Sequence, residues 1–224
     1  MEQNVKLVAI TEGANELVNK SAQDIISYVA RVSNPSNQDN FTTAPKLIKY
    51  LIEQKHWSPF EHVSVTMEIK TSRAIAAQIL RHRSFVFSEF SQRYAAAQDF
   101  VKYKARRQDK KNRQNSVDDM SEQDRLWFEV AQGAVWQKSK ELYDEALQRG
   151  VAKEQARFLL PLNTATTLYM TGSLRSWIHY AELRAVANGT QQEHADIAIA
   201  ARSIIAERFP DVAQALGWTG EMNA

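Results

Sequence analysis

The clearest period in this chain runs from Val63 to Ile69, where Val63, Val65, Met67 and Ile69 alternate with Ser64, Thr66 and Glu68. A period of two is that of a strand buried on one face. Thr164 to Thr171, rich in Thr, Leu and Tyr, predicts a second strand, and Val5 to Ile10 a short third one. The helical spacing appears elsewhere. Ser21, with Asp24 three residues on and Ile25, Ile26 and Val29 behind it, predicts a capped helix to about Val32, broken by Ser33-Asn34-Pro35-Ser36-Asn37. Thr43 and Pro45 open a second helix carrying Leu47, Ile48, Leu51 and Ile52. His56 to Glu61 is a turn around Pro59, and Ser72 caps a third helix from Arg73 to about Arg81.

Further along, Ser121 and Asp124 stand at capping-box spacing before a long amphipathic helix that Gly150 stops. Lys153 to Leu160 reads as a short helix ended by Pro161, Ser173 to Val186 as another, and Gln191 to about Arg208 as the last long one, closed off by Pro210. Asn188-Gly189-Thr190 separates those two. No internal repeat or low-complexity tract interrupts the series. The sum is a mixed α/β or α+β chain, helix-rich with a small central sheet.

Composition narrows this reading. With 224 residues, 44% of them apolar, the chain can bury a core as one domain spanning residues 1–224. A net charge of +2 gives no bulk attraction for polyanions, so binding partners have to be sought in local clusters. There is no cysteine, which excludes disulfides, thiolate metal sites and a Cys nucleophile. The first ten residues lack the pattern of a secretory signal, and no segment has the run of about 20 apolar residues that spans a bilayer. The expectation is a soluble cytoplasmic protein. The stretch Val101 to Gln114, with Lys102, Lys104, Arg106, Arg107, Lys110, Lys111 and Arg113 against Asp109 alone, reads as a solvated excursion; the competing reading is a nucleic-acid arm, for which Tyr103 supplies little aromatic interleaving.

Three constellations can carry chemistry. From Gln78 to Tyr94, three Arg, one His, one Glu and three Ser fall among Phe85, Phe87 and Phe90, so polar side chains can converge on an anionic planar ligand while the rings anchor the backbone. The plain alternative is a basic helix end followed by an ordinary strand. His56-Trp57-Ser58-Pro59-Phe60-Glu61-His62 invites a metal, but its two His are not at the spacing of a helical ligand pair, so no metal is expected. The third constellation is Arg157, Arg175, His179 and Arg184. Arg175 and His179 share a helix face, and buried Arg needs either a carboxylate such as Glu182 or Glu193 or a ligand phosphate.

Arg81-His82-Arg83 followed by Glu89, Ser91, Arg93 and Tyr94 resembles the signature of flavin-dependent thymidylate synthases, an RHRxxS triplet with a downstream E-x-S-x-R-Y. The resemblance extends over Ala30 to Ser33, Ser58 to His62, Arg157 to Asn163, and Leu183-Arg184 through Glu193-His194. It implies a homotetramer of mixed α/β fold that uses FAD, with NADPH and methylene-tetrahydrofolate as co-substrates, and converts dUMP to dTMP. By the same resemblance Ser33, His56, Ser58 and Glu61 line the flavin site, Arg81, His82 and Arg83 contact FAD, and Ser173, Arg175 and His179 meet flavin from a helix. Gln78, Arg81, Glu89, Phe90, Ser91, Gln92, Arg93, Arg157 and Arg184 fall at dUMP-binding positions, with sites built from several subunits. Two departures stand out: the serine of the triplet signature is Val86 here, and the Asn or Gln usual before the Glu is Ser88. Those two residues keep open a related flavoenzyme that acts on another pyrimidine nucleotide or gives a hydroxymethyl product. A non-catalytic RNA- or nucleotide-binding protein is the rival from another class.

The absence of cysteine rules out thiolate attack on the uracil ring, so ring activation has to come from placed cations and hydrogen bonds. Arg184 is expected to stabilise charge developing on the pyrimidine, with Arg93, Arg157 and Arg81 on the phosphate. Ser91 is expected at the same chemistry as a hydrogen-bond donor, because no base stands at triad spacing to it.

Overall fold

The computed structural model describes residues 1–186 and 189–218. In chain order the elements are β1 (Asn4–Ile10), α1 (Ala22–Ala30), α2 (Ala44–Glu53), β2 (Ser64–Ser72), α3 (Arg73–Ile79), β3 (Val86–Glu89), β4 (Arg107–Gln108), β5 (Ser116–Val117), α4 (Glu122–Gln148), α5 (Lys153–Ala156), β6 (Ala165–Ser173), α6 (Leu174–Arg184), α7 (Gln192–Arg208) and α8 (Pro210–Ala215). The main sheet has the order β1-β2-β6-β3 with antiparallel pairs throughout, and β4 and β5 form a separate small hairpin.

The register places one face of this sheet in the core. Val65, Met67, Ile69 and Thr71 lie opposite Gly172, Met170, Leu168 and Thr166, and all eight are buried. The alternate positions form the outer face, where the Thr66 and Thr171 hydroxyls meet at 2.9 Å and the Tyr169 hydroxyl donates to Glu68 at 3.0 Å. Two sequence alternations therefore fix both faces of the two central strands. Helices cover the inner face only: Ile26, Ile48, Ile75, Ile79, Trp177, Tyr180, Ile197, Ile205 and Phe209 pack there into one cluster. Burying each large side chain contributes roughly 1.5–3 kcal/mol. The Trp177 indole N–H is satisfied by the Val65 carbonyl at 3.0 Å.

Local signals set the boundaries. Ser21 and Asp24 form a reciprocal capping box on α1, and the Ser121 hydroxyl accepts from the Asp124 N–H on α4. Helix α2 ends in a Schellman turn: His56 N–H reaches the Leu51 carbonyl at 2.8 Å and Lys55 N–H the Ile52 carbonyl at 3.0 Å. Lys55 takes the left-handed position, φ 56°, without being glycine.

Several expectations are corrected. Helix α3 stops at Ile79, before Arg81, because His82 N–H turns back to the Ile79 carbonyl in a tighter turn. Within Gln78 to Tyr94, read either as a clamping loop or as a helix end followed by a strand, the strand is present: Val86–Glu89 is an edge strand whose Val86 and Ser88 lie opposite Thr171 and Tyr169 on the outer face. Lys153 to Leu160 is one α turn followed by a 3-10 turn, Arg157–Leu159. Helix α7 ends at Arg208, as expected, and Pro210 then opens the short α8 at its first turn, which suits a residue with no N–H to donate. Asn188, expected in the break before α7, lies outside the described residues.

The stretch from Val101 is a solvated excursion only in its second half, where Lys110 to Gln114 are exposed; the first half is held to the fold. Val101 and Ala105 are buried, Tyr103 donates to Ser72 Oγ at 2.5 Å, and four of the seven cations are paired: Lys102 with Glu129, Lys104 with Asp118, Arg106 with Glu193 and Arg107 with Asp119. Four of its charges thus have partners within the chain, which weakens the reading of an RNA-binding arm. Among the described residues no helix is long and apolar enough to cross a membrane.

Candidate active site

The end of β6 and the start of α6 build the first part of the site. Ser173 closes the strand and caps the helix, its hydroxyl accepting from the Ser176 N–H at 3.3 Å, so Arg175 and His179 emerge one turn apart on the exposed side of α6. Arg175 pairs with Glu61 at 2.8 Å. The Ser173 hydroxyl above all holds the Glu61 carboxyl below its ordinary value; burial opposes it, and Arg175 adds to the lowering. Glu61, Arg175 and His179, with Trp57, Ser84 and Glu182, line a cavity of about 580 Å³. Of the remaining expected flavin-side residues, His56 lies on the adjoining turn with its ring edge-on to Tyr50, Ser58 begins the following 3-10 turn, and Ser33 is exposed on the loop after α1. The donor set of this cavity, an aromatic wall with Arg, Ser and His, is the chemistry that holds a flat ring with polar edges. It fits a flavin.

The second part lies under the first. Past the end of α3, His82 sits edge-on to Tyr180 at 4.9 Å and to His194 at 5.9 Å, and Tyr180 OH and His194 Nε2 are 3.1 Å apart. Arg184, at the end of α6, donates from Nε to His82 Nε2 at 3.2 Å. An Nε2 that accepts leaves the proton on Nδ1, so the geometry calls for a neutral ring. Burial, then the Arg184 charge, push His82 down to about 4, with His179 adding to the effect; burial, Arg184 and His82 do the same to His194. Burial also raises the Tyr180 hydroxyl. The turn between His82 and β3 is held by Phe85, whose ring is edge-on to Trp177 at 4.9 Å and presses on Gly172 so closely that a Cβ there would stand 2.5 Å from it. Arg81 and Arg83 are exposed beside it.

The third part is separate. Phe90 N–H anchors the chain to the Thr167 carbonyl at 2.8 Å. Beyond it Ser91 Oγ accepts from the Arg93 N–H at 3.3 Å, and Gln92 is buried with an unpartnered Nε2. Arg93 donates to the Glu154 carboxylate at 3.1 Å and Arg157 to the Glu154 carbonyl at 3.1 Å, so the two arginines meet on one residue. Glu89 is held by Arg73 at 2.6 Å and by the Thr166 hydroxyl at 2.9 Å. The carboxylate partners named for the buried arginines are not those found: Glu61 takes Arg175, His82 takes Arg184, and Glu193 takes Arg106. Sequence reasoning gave no role to Tyr180, His194, Gln191, Arg106 or Glu154. Gln191 and His194 carried a signal as part of the stretch that resembles the family, and Arg106 as one of the cations of the basic stretch.

A preorganised arginine on a neutral histidine, two arginines meeting on the exposed Glu154, and a cavity walled by Trp57 are features of an α+β protein suited to a phosphorylated planar ligand. Comparison with known proteins gives the family. The family model described as thymidylate synthase complementing protein matches residues 15–211. The chain is 53% identical over 216 residues to a probable flavin-dependent thymidylate synthase of Paramecium bursaria Chlorella virus 1, covering 96% of this chain and 99% of that one. It is 56% identical over 199 residues to the flavin-dependent thymidylate synthase of a Synechocystis species, covering 88% and 91%. Among solved structures, the UMP/dUMP methylase PolB of Streptomyces cacaoi bound with 5-Br dUMP superposes with a TM-score of 0.83 at 25% identity, covering 98% of this chain and 96% of that one. The chain belongs to the thymidylate synthase complementing protein family, in which these relatives are flavin-dependent thymidylate synthases.

Proposed function

We propose that this protein is an FAD-dependent enzyme that methylates dUMP to dTMP, with methylene-tetrahydrofolate as carbon donor and NADPH as reductant. The observation that carries this reading is Arg184 fixed on the neutral ring of His82, four residues past Gln78, in a chain without cysteine. Charge that develops on the pyrimidine cannot be avoided by thiolate chemistry here, so it needs a cation already in place. Arg184 uses Nε to hold its position; among the described residues neither of its Nη atoms has a protein hydrogen bond, and both remain for a ligand.

Glu61, Ser173, Arg175 and His179 would hold the flavin ring, with Arg81 and Arg83 toward its phosphates; when bound and reduced, FAD supplies hydride. Arg93 and Arg157 neutralise the nucleotide phosphate, and Ser91 donates a hydrogen bond to it. Ser91 does not act as a nucleophile: among the described residues its hydroxyl meets the Arg93 N–H and no base. From Ser173 to Thr166, β6 extends about 23 Å, so the flavin-side residues and the Arg93–Arg157 pair of one copy lie near opposite ends of a strand. A pyrimidine stacked on a flavin therefore takes its phosphate ligands from a second copy, which is the reason for a homotetramer with shared sites.

The test is spectroscopic and chemical. The purified protein is expected to be yellow, bleached by NADPH and perturbed by dUMP, and to give dTMP by mass spectrometry. A colourless protein that binds no dUMP would end this reading. Conversion of dCMP in place of dUMP, or a hydroxymethyl product, would select the related enzyme that Val86 and Ser88 keep open.

A further inference from the structure

The Gln78 amide is held by a chain of hydrogen bonds that has no part in the reaction. Gln78 Nε2 donates to Gln191 Oε1 at 2.7 Å, Gln191 Nε2 donates to Glu193 Oε2 at 2.8 Å, and Arg106 pairs with Glu193 Oε1. Only the last two members are well covered: the side chains of Arg106 and Glu193 are 15% and 10% exposed. Gln3, anchored by the Thr71 hydroxyl at 3.3 Å, fixes the Glu193 carbonyl at 3.0 Å, so the carboxylate is carried on a pinned helix start.

An amide can normally turn over and exchange its oxygen and nitrogen. This one cannot do so freely. A carboxylate only accepts, so Gln191 has to point its NH₂ at Glu193 and its oxygen at Gln78. Gln78 then has to point an N–H at Gln191, which leaves its oxygen and its second N–H for a ligand. The direction of every bond in the chain follows from the one charged pair at its end.

We propose that Arg106, Glu193 and Gln191 are positioning residues that lock the orientation of the Gln78 amide and thereby make the site discriminate uracil from cytosine. The proposal rests on the reading of Gln78 as a dUMP-binding residue, and takes the free edge of its amide to face the pyrimidine. Uracil presents an N3–H donor beside carbonyl acceptors, and an amide oxygen and N–H in fixed order pair with both. Cytosine presents an unprotonated N3 and an amino group at the same edge, so the locked amide sets acceptor against acceptor and donor against donor. A free amide would turn over and accept either base. Polar mismatches of this kind discriminate strongly because the groups left unpaired lose their water on binding.

The test compares dUMP and dCMP affinities by calorimetry on the FAD-loaded full chain. Wild type is expected to prefer dUMP. Gln191→Leu, at the exposed link of the chain, is expected to lower the dUMP/dCMP affinity ratio by about tenfold, roughly the worth of one such hydrogen bond. Glu193→Gln, which keeps shape but can donate as well as accept, is expected to lower it in the same direction. Equal loss of both nucleotides in Gln191→Leu, or an unchanged ratio in both variants at an unchanged thermal midpoint, overturns the relay while leaving the site reading intact. Wild-type protein that binds neither nucleotide overturns the site reading on which the relay stands.

Discussion

Arg184 and Arg93 are both assigned to the nucleotide, but the molecule supports them in different ways. Arg184 rests on His82, which is packed edge-on against Tyr180 and His194, over the same core that holds Trp177 and Phe85. Arg93 rests on Glu154, and that pair is largely open to water, with 63% and 47% of the two side chains exposed. The first support is set when the chain folds and costs nothing to arrange at the moment of reaction. The second is a surface ion pair, worth little by itself and easily exchanged for a phosphate. On the proposed reading, the difference separates a group that acts on the transition state from one that serves binding, and it is the second that is proposed to be lent to another copy.

The largest effect that would test this contrast is that of Arg184→Ala. Turnover is expected to fall by roughly 10²-fold or more, the cost of removing a preorganised donor from a developing anion, with flavin absorbance retained. Steady-state kinetics beside the visible spectrum would decide it. Unchanged turnover would remove Arg184 from the chemistry and the contrast with it. A smaller effect tests the support. Gly172 is in contact with the Phe85 ring, so Gly172→Ala forces the ring and the Arg81–Ser84 turn to move. A loss of about 1–3 kcal/mol is expected from overpacking of this kind, together with weaker flavin retention. Denaturant unfolding would measure the first and equilibrium dialysis the second; full stability with full flavin occupancy would show that the turn does not depend on Phe85.

Acid supplies the next test. His82 and His194 are held at about 4 in the folded chain against an ordinary value of 6.5. Between those values the unfolded chain binds more protons, so stability rises with pH. It is fully present above about 6.5 and is lost as pH falls toward 4. The thermal midpoint is expected to fall over this window, and His194→Gln to flatten the slope, whereas His179→Gln, which removes only the smallest of the three causes acting on His82, flattens it far less. Identical slopes in all three proteins would mean that the cluster is not buried in solution.

The sequence made the first support less visible than the second part of the fold. Strands β2 and β6 were legible because alternation is local, and so was the shared face of Arg175 and His179, four residues apart on one helix. The Arg184–His82 bond joins residues 102 apart and the Arg106–Glu193 pair residues 87 apart. Neither leaves a periodic trace. The charged stretch from Lys102 looked solvated for the same reason: its acidic partners, Glu129, Asp118, Asp119 and Glu193, all lie beyond it in the chain. The resemblance to a family named His82 and Arg184 without stating that they touch, and Tyr180 was missed because its position beside His179 does not show that it turns inward.

Glu154→Gln is expected to have the smallest effect, and it sharpens the comparison most. Removing the Glu154 charge leaves its backbone carbonyl, so the bond from Arg157 Nε at 3.1 Å survives while the Arg93 partner is lost. Exposed pairs of this kind contribute about 0.2–1 kcal/mol, so the midpoint of unfolding should barely change. If Glu154 holds Arg93 only until a phosphate arrives, it competes with the nucleotide, and dUMP should bind a few-fold more tightly to the variant, with the gain shrinking as salt screens the charges. If dUMP instead binds more weakly, Glu154 is an orienting scaffold like His82, and the two arginines are held on the same principle after all.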